Sequence, residues 1–72
     1  MTAEQMHLVA QMRIRETERD SDSLGGDFTH VTTILATAFI EHCHRRGMTR
    51  SQILYLLSPL MDGFHIRGEI PS

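Results

Sequence analysis

Lysine is absent from this 72-residue sequence, cysteine occurs once, and no apolar run approaches the length needed to cross a bilayer, roughly 20 residues. Each absence removes a class of explanation. A lone Cys43 excludes an internal disulfide and fits a reducing compartment, leaving only a bridge between chains open. No basic stretch followed by an apolar block stands at the N-terminus, so the expectation is a protein that stays where it is made, in the cytoplasm, of bacterial or phage origin. With a formal charge of -2 the whole chain lacks the basic field of a domain held mainly by phosphate contacts, although a local patch stays open. All seven basic side chains are arginine, which favours planar, bidentate contacts over diffuse point charges. Codon usage in a GC-rich genome is the simpler account of that bias.

What is there makes a single small domain. A chain this short buries only about 60 % of the surface it exposes when unfolded, so its core is marginal. Disulfides, a metal or self-association usually supply the missing stability. With no disulfide, and with no metal-ligand spacing of the kind sought below, self-association is the support expected here, in the form of a homodimer.

Thr2-Ala3-Glu4-Gln5 has the spacing of a capping box and predicts a helix over residues 1–20. Met6, Leu8, Val9, Ala10, Met12 and Ile14 form one broad apolar arc on it, wider than a single neighbour needs. That width suits a helix wedged between two others of its own chain, and equally a helix in contact with a second subunit. Residues 15–27, RETERDSDSLGGD, lose the apolar periodicity and predict a fraying helix end and a solvated loop over 21–27.

Asp27 or Thr29 can cap a central helix over 28–46, with Phe28, Val31, Ile34, Leu35, Ala38, Phe39 and Cys43 at core spacing and Ile40 to one side as a contact residue. His42, His44, Arg45 and Arg46 bring donors or positive charge to its carbonyl end, and Gly47 can close it in the left-handed conformation. Thr49 and Gln52 repeat the capping-box spacing, with Met48 and Ile53 at the two ends of a hydrophobic staple. A third helix over 49–58 follows, apolar through Ile53, Leu56, Leu57 and Leu60, and its short link predicts a helical hairpin with the central one. Pro59 is expected to end or kink it, with Ser58 and Pro59 able to restart a short turn up to Gly63. Phe64-His65-Ile66-Arg67 then alternates with a period of two, so residues 64–72 read as a non-helical tail. Such a tail lies over the core through Phe64 and Ile66, the preferred reading, or pairs with a partner chain.

Chemistry-bearing constellations are sparse. Glu41-His42-Cys43-His44 concentrates four metal-ligand types, but His42 and His44 are separated by about 200° around a helix and cannot close on one ion. No metal or other cofactor is expected. His42 falls within the arc of Val31, Leu35 and Ala38, where its place in the last turn lets the ring reach solvent or free carbonyls; a pH-sensitive interface is the other use. Cys43 reads as a small apolar filler, and Ser51 and Ser58 have neither a nucleophile motif nor a phosphate loop near them, so no enzyme activity is expected.

Residues 46–57, RGMTRSQILYLL, resemble the end of helix one and the whole of helix two in repressor-type helix-turn-helix domains, where a Gly-apolar-Thr turn precedes a short positioning helix. The resemblance covers about a sixth of the chain and implies a DNA-binding regulator, with Arg45, Arg46 and Arg50 around the turn as phosphate ligands. Ser58-Pro59-Leu60-Met61-Asp62-Gly63 departs from the pattern, since a recognition helix is polar or basic and this stretch is short, apolar and acidic.

The sequence therefore predicts an all-α, three-helix domain in which the hairpin forms the core and the N-terminal helix packs across it. Its expected role is that of a small regulatory or inhibitory protein that binds another protein, as a homodimer. The predicted contact surface comprises Met6, Leu8, Met12, Ile40 and Tyr55, flanked by Arg45, Arg46 and Arg50. A helix-turn-helix-like DNA-binding regulator is the alternative.

Overall fold

The computed structural model of the chain describes residues 1–66. Among them it holds three α-helices and no strand: α1 (Ala3–Ser23), α2 (Phe28–Arg45) and α3 (Arg50–Gly63). The all-α class read from the sequence is the observed one.

Local hydrogen bonding explains why the helices start where they do. Thr2 Oγ1 accepts from the Gln5 amide at 3.1 Å while Gln5 Oε1 accepts from the Thr2 amide at 2.8 Å, which satisfies two of the donors a helix start leaves free. Thr49 and Gln52 repeat the reciprocal pair at 3.3 and 2.8 Å. At the start of α2, Asp27 Oδ1 accepts from the amides of Thr29 and His30, and the Asp27 amide donates to His30 Nδ1 at 3.0 Å. His30 thus fills the place that glutamine takes in the other two boxes.

The helix ends are equally local. After α2 the Met48 amide donates to the Cys43 carbonyl and the Gly47 amide to the His44 carbonyl, the paired bonds of a Schellman closure, with Gly47 at φ 73°. Gly25, at φ 77°, closes α1 in the same way, with its amide on the Asp22 carbonyl and that of Gly26 on the Ser21 carbonyl. At the end of α3 the left-handed position is held by His65, φ 55°, with its amide on the Asp62 carbonyl and that of Ile66 on the Met61 carbonyl.

Two predicted boundaries move. Helix α1 runs on to Ser23 rather than fraying after residue 20, because the Gly25 closure, not the charge run, sets its end. Helix α3 passes through Pro59 to Gly63. At the tenth helical position the proline forfeits the one bond that would reach the Tyr55 carbonyl, while capping at one end and closure at the other hold the turns on either side. Phe64 and Ile66 consequently belong to that closure and are exposed, instead of lying extended over a core. The part of the tail reading that concerns residues 67–72 lies outside the described residues.

Contacts divide the chain into two bodies, Met1–Glu41 and a second beginning at His42. In the first, α2 turns Val31, Leu35 and Phe39 inward as half-buried residues, and the side chain of Ser21 is buried near the end of α1. A Cβ on Gly26 would collide with Ser21 Oγ and stand 3.3 Å from the His30 Cβ, so α1 and α2 approach closely at this corner. In the second body Cys43 is buried, as expected of a small apolar filler, and Met48, Ile53 and Leu57 are half-buried.

Several expected core positions are not enclosed. Phe28, Ile34, Ala38, Leu56 and Leu60 are exposed. So is every residue from Met1 to Glu16, the apolar arc of α1 included. The sequence supplies apolar groups on more sides of each helix than the neighbouring elements cover.

Candidate interaction surface

Helix α2 carries no Asp, Glu, Lys or Arg from Phe28 to Ile40, more than three consecutive turns. A helix lacking charge around its whole circumference is ordinarily buried on all sides. Here Val31, Leu35, Phe39 and Cys43, at spacings of four, form the covered side. The opposite side is an open groove of about 440 Å³ lined by His30, Thr33, Ile34, Thr37, Ala38 and Glu41. Beside it a second depression of about 380 Å³ is bounded by Thr32, Thr33, Ala36, Thr37 and Ile40. Ile40, singled out from the sequence as a contact residue, is 49 % exposed and lies in this second hollow.

On α1 the predicted contacts Met6, Leu8 and Met12 are all more than half exposed. Leu8 and Met12, four residues apart, share one side of the helix, while Met6 stands about 120° from Met12, with Val9 between them. Val9 and Ile14 are exposed on the same broad arc. Tyr55 of α3 projects about 160° away from the half-buried Ile53 and is 84 % exposed. Arg45, Arg46 and Arg50 are exposed and occupy the last residue of α2, its cap, and the first residue of α3, so the turn gathers them by chain proximity alone. These residues fall into three local groups: the α1 arc, the outward side of α2 at Ile40, and the turn with α3.

Among the described residues no three His, Cys, Asp or Glu side chains converge as metal ligands would. His42 is exposed in the last turn of α2, and the Cys43 thiol is enclosed, 1 % exposed. Ser21 Oγ is buried with no hydrogen-bond partner among the described residues. Sequence reasoning placed Ser21 in a solvated loop, and it assigned no role to Thr33 or Thr37. The missing charge between Phe28 and Ile40 was the signal that marks both threonines as groove residues.

Among the described residues no helix is long and apolar enough to cross a membrane. Comparison of the chain with protein families, with curated proteins and with solved structures yields no match.

Proposed function

We propose that this chain is a small regulatory or inhibitory protein that acts by binding another protein, works as a homodimer, and does so in the cytoplasm. One observation carries the proposal: among the described residues seventeen large apolar side chains are exposed, while the buried apolar side chain is Cys43. So many exposed large apolar side chains on a small protein support a role in binding another macromolecule. Met6, Leu8 and Met12 on α1, Ile40 on α2 and Tyr55 on α3 are the apolar contacts proposed, each in its own local group, and Arg45, Arg46 and Arg50 are the polar contacts of the α2–α3 turn. No catalytic role is assigned to any residue.

DNA binding is the second reading, carried by the arginine cluster at the α2–α3 turn. Weighing against it, α3 runs unbroken to Gly63 and closes at His65, and no second helix follows it among the described residues to enter a major groove.

Affinity capture from a host lysate, with and without nuclease, separates the two. For a protein partner, Leu8→Asp or Ile40→Asp abolishes capture while circular dichroism stays unchanged, nuclease has no effect, and changing Arg45, Arg46 and Arg50 to Glu acts modestly. Retention on duplex DNA that falls steeply with salt and vanishes in the triple arginine variant would instead establish the nucleic-acid reading.

A further inference from the structure

We infer that the outward groove of α2 is the self-association surface, and that it seats α2 of a second copy in antiparallel orientation, with His30 of each chain opposite Glu41 of the other. This rests on the homodimer proposed above and adds to it a face, a direction and a register.

The face follows from composition. His30, Thr33, Ile34, Thr37, Ala38 and Glu41 recur at spacings of three and four, so they form one stripe along the helix, opposite Val31, Leu35 and Phe39. Threonine and alanine on the stripe let a second helix backbone approach closely, and Ile34 gives it an apolar centre. Nothing charged interrupts the stripe between its two ends.

Direction follows from charge. The first turn of α2 is preceded by the Asp27 carboxylate, and its last turn holds His42, His44 and Arg45. Parallel copies would set Asp27 against Asp27 and Arg45 against Arg45. Antiparallel copies set each Asp27 against the Arg45 of the other chain and keep the two Glu41 side chains apart, and they also oppose the helix dipoles favourably.

Register follows from the ends of the stripe. Placing the two-fold axis between Leu35 and Ala36 brings Ile34 against Thr37 and Ala38 of the second copy and Asp27 against its His44 and Arg45. The same placement puts His30 opposite Glu41, and symmetry repeats each contact. Within one chain, residues 30 and 41 are about 16 Å apart along the axis, too far to touch. Energetic coupling between them therefore reports a second chain.

Sedimentation equilibrium of the full-length chain over a range of concentrations provides the test, with circular dichroism confirming that each variant keeps its helicity. Glutamate at position 30 can still complete the capping box with Asp27, so His30→Glu leaves the start of α2 intact. It is expected to weaken the dimer about tenfold or more by facing Glu41 twice, and Glu41→Arg to weaken it as well. The double variant His30→Glu/Glu41→Arg is expected to restore affinity to within about threefold of the parent. Ile34→Glu should give a monomer. If both single variants weaken the dimer and the double variant does not restore it, the register is wrong. A parent dimer that survives Ile34→Glu but dissociates with Leu8→Asp would overturn the α2 face and leave the homodimer standing; a parent chain that is monomeric throughout would remove both.

Discussion

At the scale of single residues, the chain departs from the cheapest local choice at two positions, and each departure has a measurable consequence. His65 holds the left-handed position that glycine holds after α1 and α2. A side chain there costs about 1–2 kcal/mol, partly offset because glycine loses more freedom on folding. His65→Gly is accordingly expected to stabilise the fold by about 0.5–1 kcal/mol in urea unfolding at fixed protein concentration. Ser21 Oγ is buried without a hydrogen-bond partner among the described residues, and it is the atom that a Cβ on Gly26 would strike. Ser21→Ala removes an unpaired hydroxyl and should be neutral or stabilising by up to about 1 kcal/mol, whereas Gly26→Ala should destabilise by about 1–3 kcal/mol. A marked loss of stability in Ser21→Ala would show that the hydroxyl is bonded in solution.

Among the elements, α3 and α1 are held in different ways. Pro59 interrupts the bond ladder of α3, and the helix continues because its capping box and its closure lie on either side. Pro59→Ala is expected to raise the unfolding midpoint, by an amount equivalent to about 1–3 kcal/mol. An unchanged midpoint would mean that the strain is absorbed elsewhere. In α1 the residues up to Glu16 are exposed, so its first turns are held by the Thr2–Gln5 box, the Arg13–Glu16 pair at 3.0 Å and ordinary backbone bonding. An exposed ion pair of that kind contributes less than about 1 kcal/mol. Amide hydrogen exchange in dilute solution should therefore be faster over residues 4–16 than over residues 35–43 of α2, and should slow when a partner covers the α1 arc.

For the whole molecule, the governing fact is that among the described residues exposed large apolar side chains far outnumber enclosed ones. A chain stabilised by association has a thermal midpoint that rises with protein concentration, and a tenfold increase in concentration should shift it measurably upward. A midpoint independent of concentration would show that the isolated chain supplies its own stability. Leu8→Asp, on an exposed position, should change monomer stability by no more than about 0.5 kcal/mol, which separates a binding residue from a core residue.

The division between what was legible in the sequence and what was not follows the range of the forces involved. Capping boxes and left-handed closures involve groups within six residues of one another, so Thr2, Gln5, Thr49, Gln52 and Gly47 could be read directly, and with them the three helices and the all-α class. His65 escaped because a non-glycine residue in that position carries no sequence mark, and the Pro59 boundary failed because one lost bond is weaker than the turns around it. Burial is decided by elements far apart in the chain. On α2, apolar groups lie on every side, so periodicity could not choose between Val31, Leu35 and Phe39, which are half-buried, and Ile34 and Ala38, which face outward. Only tertiary contact made that choice, because hydrophobic burial has no direction of its own and goes to whichever side a neighbour reaches first.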